Sequence, residues 1–422
     1  MNLLQLFLKH RKVSTDTRNI TPNNLFFALK GPNFNGNKFA KEALRKKAAY
    51  AIIDEKEYHS ENTILVDDVL LALQQLAKEY RQYLKLQIIG LTGSNGKTTT
   101  KELLHRVLSS KFKTFSTPGN LNNHIGVPLS LLQIPKGTEY AIIEMGDNKP
   151  GDIKELCKIA EPNLGFITNV GKDHIEGYGS IEGNLNTKNE LFEYLNQNGN
   201  TGFFSESDPL VSRIGKELKS PNNIESFAKK INIKQAPSNP FVCFSIDDNI
   251  FQTQLVGDYN YQNILFAISI GFFCGVVPLA AANAICSYKP ENNRSQLMET
   301  AKNTIILDAY NANPTSVELA LNSFKKYSSG MPKVAILGDM LELGEIAQDE
   351  HFAILEWLKN QSEIQPILVG SIYFKFKEKF HFTFYESPSQ LIEGLKKEPI
   401  KKALVLLKAS REIKLETALA EL

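Results

Sequence analysis

The chain has 422 residues, room for about three domains at roughly 150 residues each. Apolar residues make up 42% and charged residues 22%, which excludes disorder, collagen and coiled coil. With 48 Lys and Arg against 46 Asp and Glu, the net charge of +2 points to neither nucleic acid nor an anionic membrane, so any phosphate must be held by a local site.

Residues 1–85 are expected to form a first unit. MNLLQLFLKHRK has its charges after the apolar stretch and no small-residue cleavage site, so it reads as a short helix rather than a signal peptide. LFFALKG and AAYAIID read as strands, and FAKEALRKKA and DVLLALQQLAKEYRQYL as amphipathic helices. In the last, Leu70, Leu73, Leu76 and Ala77 share a face. A second unit, 86–290, shows βα alternation. Gln87–Thr92 is an apolar strand, TTTKELLHRVLSS its helix, and Ala141–Met145 and Leu164–Val170 are strands of the buried parallel type. Residues 241–256 read as a hairpin turning at Asp247–Asn249. From Ile264 to Ile285 no residue is charged, a length that could span a bilayer. Gly271, Gly275 and Pro278 interrupt it and no basic flank sets a topology, so it reads as two buried helices, the first ending near Gly275 and the second with Pro278 in its first turn. In a third unit, 291–422, strands are legible at TIILDAY, KVAILGD, PILVG, FTFYE and ALVLLK, with helices such as TSVELALNSFKKY between them. The expected fold class is α/β in three domains. Cys157, Cys243, Cys274 and Cys286 have no zinc-site spacing and read as reduced thiols of a cytoplasmic protein.

The sharpest motif is GLTGSNGKTTT, Gly90 to Thr100, between a strand and a helix. It departs from the G-x-x-x-x-G-K-[ST] loop only at its first position, Leu91. Gly93 and Gly96 let the backbone of Ser94 and Asn95 wrap a phosphate, and the helix N-terminus directs free N–H groups toward it. Lys97 can reach the β- and γ-phosphates, and Thr98, followed by Thr99, can hold Mg²⁺. Glu144 at a strand end and His174 after another strand are candidate ligands or acids on the same edge.

These segments resemble the Mur ligases, ATP-dependent amide ligases of peptidoglycan precursor synthesis. GSNGKTT from Gly93, TPGNLNNHIGVPL from Thr117, EMG from Glu144 and TNVGKDH ending at His174 follow one another in that family's order. LVGDYNYQN, Leu255 to Asn263, resembles the adenine-side motif, and NRSQ from Asn293 resembles the segment whose arginine reaches the nucleotide. LDAYNANP, LGDMLELG and LKASR look like the member that adds D-alanyl-D-alanine, and STDTR and FFALKG look like its UDP-binding domain.

The resemblance implies a small UDP-binding α/β domain, a central P-loop ATPase domain with a parallel sheet and a Rossmann-like C-terminal domain. It implies the substrates UDP-N-acetylmuramoyl-tripeptide and D-alanyl-D-alanine, the cofactors ATP and Mg²⁺, and a monomer. Thr15, Asp16, Thr17 and Arg18 would meet the UDP substrate. Asn122 and Asn123 would orient it, Asn260 and Asn263 would read adenine, and Arg294 and Asp308 would close on ATP. It further implies that Lys188, in GNLNTKNELF, is carbamylated and holds a second Mg²⁺ with His174. Asn186, Thr187 and Asn189 stand where small residues are more common, and Asn35 replaces an Asp after FFALKG. A folylpolyglutamate synthase would show Gly-Lys-Gly-Ser in place of Gly96-Lys97-Thr98-Thr99. A nucleotide switch without ligation would have no use for the second metal set.

Overall fold

The structure, a computed structural model, describes residues 2–291, 293–328 and 330–422. In the first domain four short parallel strands run in the order Val13–Ser14, Leu25–Phe27, Tyr50–Ile53, Thr63–Leu65. Successive side chains of a strand point to opposite faces. Phe26 accordingly packs with Ala40 and Ala43 of the helix Ala40–Arg45, while Leu25 and Phe27 pack toward the helices Leu3–His10 and Val69–Leu84. Asp68 starts the last helix by accepting a hydrogen bond from Leu71 N at 2.8 Å. Its buried face is Val69, Leu73, Leu76, Ala77 and Tyr80, and Leu70 is only half-buried. The same face continues into the central domain, where Tyr80 OH donates to Ile134 O at 2.8 Å.

The central domain holds a six-stranded parallel sheet in the order Pro221–Asn223, Thr201–Phe204, Leu164–Ile167, Gln87–Thr92, Tyr140–Glu144, Thr114–Ser116. The strand entering the P-loop therefore lies between the two strands whose ends carry Glu144 and the 168–174 loop. The expected strand Leu164–Val170 stops at Ile167 because Thr168 and Asn169 turn their side chains to the P-loop. Thr168 Oγ1 and Asn169 Nδ2 both donate to Asn95 O, at 2.7 and 2.9 Å. The hairpin is present as Phe241–Ile246 and Asn249–Val256, and Ile233–Ala236 adds a third antiparallel strand that the sequence did not reveal.

The uncharged stretch forms two helices, Asn260–Phe273 and Pro278–Cys286. Among the described residues no helix is long and apolar enough to cross a membrane. The first helix ends at Phe273, close to the expected Gly275, with Gly271 inside its last turn. Gly271 lies where that helix touches the one following the P-loop, and a Cβ there would come within 2.3 Å of Val107 Cγ1.

The third domain is a six-stranded sheet in the order Gln296–Glu299, Thr304–Asp308, Leu404–Lys408, Lys333–Gly338, Ile364–Val369, Thr383–Tyr385. The first strand is an antiparallel edge, and the other five are the parallel strands read from sequence.

The close approach at Gly271 yields a prediction. Gly271→Val should lower stability by about 1–3 kcal/mol through overpacking, read from urea midpoints. Val107→Ala in the same chain should recover part of that loss.

Candidate active site

The P-loop is wound too tightly for side chains. Gly93 has φ +141°, and a Cβ there would lie 2.0 Å from Thr168 Oγ1. Gly96 has φ +81°, and a Cβ there would lie 2.5 Å from Asn263 Oδ1. Lys97 opens the helix Lys97–Ser109 and bends its ammonium back to Gly93 O and, at 3.5 Å, Ser94 O. Burial pushes the Lys97 pKa down, against the pull of Asp147, Asp173 and Glu144. Thr98 Oγ1 donates to the two oxygens of Glu144 at 3.2 and 3.1 Å.

Glu144 is only 2% exposed. It accepts a third hydrogen bond from Asn122 Nδ2 at 3.0 Å. Behind it lies Lys101, fully enclosed, with Nζ 3.6 Å from Glu144 Oε2, 3.2 Å from Glu102 and donating to Thr117 O at 2.7 Å. Sequence reasoning missed Lys101, although its spacing of three from Thr98 puts both on one helix face. Asn123 is occupied as a helix start, accepting from Ile125 N and Gly126 N at 3.1 and 2.8 Å.

Asn260 and Asn263 sit under the loop, their amides spent within the protein. Asn263 Nδ2 donates to Asn260 Oδ1 at 2.8 Å, Thr100 Oγ1 to Asn263 Oδ1 at 3.0 Å, and Asn260 Nδ2 to Val256 O at 2.8 Å. Both line the cavity wall, and Asn263 lies against Gly96.

The opposite wall comes from the third domain. Arg294 stacks on Tyr310 at 3.6 Å, and its buried Nε has no hydrogen-bond partner among the described residues. Arg411 approaches the same ring and donates to Tyr310 OH at 3.2 Å. Asp308 accepts from Ser295 N at 3.1 Å and Lys408 Nζ at 2.6 Å. Between the walls lies a cavity of about 500 Å³ that Ser94, Asn95, Gly96, Lys97, Thr98 and Thr99 border from one side. The seam beside it is tied by Asn313 Nδ2 to Asn95 Oδ1 at 2.9 Å, Lys172 to Glu350 at 2.6 Å and His174 Nδ1 to Glu342 at 2.8 Å.

Thr15 and Asp16 do not border this cavity. They line a separate one of about 770 Å³ with Tyr80 and Leu121. Asp16 grips the 86%-exposed Arg18 at 2.7 Å and caps the short helix Thr17–Asn19. The loop between the two cavities turns Leu121 to one and Asn120, Asn122 and Asn123 to the other. Asn35, in the place of an Asp, donates to Glu55 at 2.9 Å and accepts from Asn37 N at 3.0 Å.

For a hard divalent cation the Thr98 hydroxyl and Glu144 carboxylate fit, being two oxygen donors already facing each other on the cavity edge. Around the expected second pair, His174 Nδ1 lies 2.8 Å from Glu342, while the Lys188 side chain is fully enclosed with Nζ 2.9 Å from Asp147 and 3.8 Å from Asp173. Both stand beside the Tyr178 ring, Lys188 Nζ at 5.0 Å and the His174 ring at 6.4 Å from its centroid. Glu190, in the same segment, caps the helix Asp152–Ala160 through Gly151 N and Lys154 N at 2.7 and 2.8 Å.

Comparison with known proteins agrees with this geometry. Three family descriptions match: "Mur ligase family, catalytic domain" over residues 10–81, "Mur ligase middle domain" over 91–271 and "Mur ligase, glutamate ligase domain" over 293–411. The chain belongs to the Mur ligase family. Its relatives include the UDP-N-acetylmuramoyl-tripeptide–D-alanyl-D-alanine ligase of Bacillus subtilis, 34% identical over 97% of this chain and 92% of that protein. That of Escherichia coli is 32% identical over 85% and 81%. Among solved structures, MurF from Acinetobacter baumannii superposes with a TM-score of 0.86 at 26% identity over 100% of this chain and 98% of that one. MurF from Thermotoga maritima in complex with ADP gives 0.85 at 27% identity, with the same coverage.

A pH prediction follows from Asp173. Burial works to raise its pKa, but Lys188, Lys97 and the Ser94 hydroxyl outweigh it and hold the carboxyl below its usual 3.8. A depressed carboxyl stabilises the fold above its unfolded pKa, and that contribution is lost as pH falls through the folded value. Asp173→Asn should therefore lower the urea midpoint at neutral pH, with the gap to the parent chain closing below pH 3.8.

Proposed function

We propose that the chain uses ATP to join D-alanyl-D-alanine to UDP-N-acetylmuramoyl-tripeptide through an acyl phosphate. The observation that carries this is the cavity between the P-loop and the Arg294–Tyr310–Arg411 stack, with a second cavity in the first domain one loop away. A carboxylate is a poor electrophile because its leaving group would be oxide. Phosphorylating it creates a phosphate leaving group, which the dipeptide amine displaces. Both partners of the first step are anions, so the site must supply positive charge and position.

Lys97 supplies charge at the γ-phosphate from the floor. Arg294, with its Nε unpaired among the described residues and its guanidinium stacked on Tyr310, supplies it from the facing wall. Thr98 and Glu144 would hold Mg²⁺, which adds positive charge at the phosphate oxygens when bound. Asn122, held to Glu144, orients the arriving carboxylate. A UDP group seated by Thr15 and Asp16 would direct its peptide past Leu121 toward that point. Closing the third domain over the cavity excludes water that would hydrolyse an acyl phosphate. In this reading the chain acts as a monomer in the cytoplasm, where ATP is available.

Phosphate release should require ATP, the UDP-tripeptide and the dipeptide together. Lys97→Ala should reduce ligation by on the order of 10²-fold or more with the fold intact by circular dichroism. Turnover near that of the parent chain would contradict the phosphate assignment.

A further inference from the structure

We infer that Lys101 is a positioning residue: its ammonium ties the loop 117–123 to the helix that begins in the P-loop, so that Asn122 stands where the phosphate end of the cavity faces the substrate end. The inference rests on the ligase reading above and concerns a residue that lines neither of the two cavities.

Lys101 is the fifth residue of the helix Lys97–Ser109, and its side chain is fully enclosed. A buried ammonium is costly unless its donors are met. Here four acceptors surround it: Thr117 O at 2.7 Å, Gly119 O at 3.5 Å, Glu102 Oε1 at 3.2 Å and Glu144 Oε2 at 3.6 Å. Two of them are main-chain carbonyls of one loop. A cation on carbonyls fixes the path of the backbone, whatever side chains the loop carries. Packing alone does not ask for a charge here, because Leu103, Leu104, Val107 and Leu108 already seat the helix with fully buried side chains.

The held loop leads to residues that face both cavities. Its first stretch has little to fix it otherwise: Pro118 has no N–H to donate, and Gly119 has φ +54° with open space where a Cβ would stand. Leu121 then turns to the first-domain cavity, and Asn120, Asn122 and Asn123 to the other. Asn122 Nδ2 donates to Glu144 Oε1 at 3.0 Å, while Lys101 stands at the second oxygen of that carboxylate. The contacts close a ring that runs from Lys101 to Gly119, along the chain to Asn122, across to Glu144 and back to Lys101. Thr98, one turn earlier on the same helix face, donates to the same carboxylate at 3.1 Å. Through this ring the helix that starts at the phosphate end sets the position of Asn122. A small misplacement at that point is expensive in rate, because the carboxylate to be activated must meet the phosphate in line.

The test uses the full chain and its Lys101→Met variant, which keeps the bulk and removes the donors. Amide hydrogen exchange should speed up by about tenfold or more at residues 117–126 and stay as in the parent over the strands of the first domain. The KM for UDP-tripeptide should rise and kcat fall, each on the order of tenfold, while ADP affinity by calorimetry stays within about threefold. Lys101→Gln, whose amide can still donate to one carbonyl, should recover part of both losses. A merely structural role would lower the unfolding midpoint and leave exchange at 117–126 and both kinetic constants parent-like wherever the variant is folded. That result would overturn the inference, as would equal losses of ADP and UDP-tripeptide affinity. If neither variant folds, the parent chain decides: ADP alone should slow exchange at 117–126 by about threefold or more, and no slowing would overturn the inference. If the parent chain ligates no dipeptide while the exchange results hold, the ligase reading has failed and the tie through Lys101 has not.

Discussion

A buried carboxylate, Glu144, sets the terms for the whole site. At 2% exposure it is tolerable only with its oxygens paired, and the partners come from two different parts of the chain. Thr98 and Lys101 reach it from one face of the helix after the P-loop, and Asn122 reaches it from the loop that faces the first domain. Pairing this one group therefore fixes the P-loop helix, the strand end and the substrate-side loop relative to one another. The tight winding at Gly93 and Gly96 follows, because the loop is pressed between Thr168 on one side and Asn263 on the other.

The same logic extends across the seam to the third domain. Charged and amide groups on the 168–176 loop are divided between the P-loop and the C-terminal wall. Asp173 turns inward to Ser94 and Asn184, while Lys172 and His174 turn outward to Glu350 and Glu342. The loop is thus a two-sided fitting: what holds the phosphate end also receives the domain that closes over it. Tyr310 does similar work opposite, presenting two guanidinium groups from separate segments to one cavity.

The fold was largely legible because a buried parallel strand is an uninterrupted apolar run, and five such runs in the third domain stand out in sequence. Gln296–Glu299 escaped because it is a short edge strand of mixed polarity. Ile233–Ala236 escaped for a similar reason, having one buried residue in four. The P-loop was legible because its chemistry is contiguous. Lys101, Asp147 and Asp173 were not, since each is a single charge in a charged neighbourhood and only the sheet topology brings them together. The surroundings of Lys188 were not legible either, because the two aspartates beside it, Asp147 and Asp173, lie 41 and 15 positions earlier. At Gly271 the sequence shows the glycine but not its reason, which is the close approach of the helix after the P-loop.

The central claim is that this cavity activates a carboxylate by transferring phosphate to it. The most direct measurement follows an oxygen atom. With ¹⁸O in both oxygens of the terminal carboxylate of the UDP-tripeptide, mass spectrometry of the products reads where the label goes. The account predicts one ¹⁸O in the released inorganic phosphate for each amide formed. Phosphate released without label, alongside a ligated product, would contradict it.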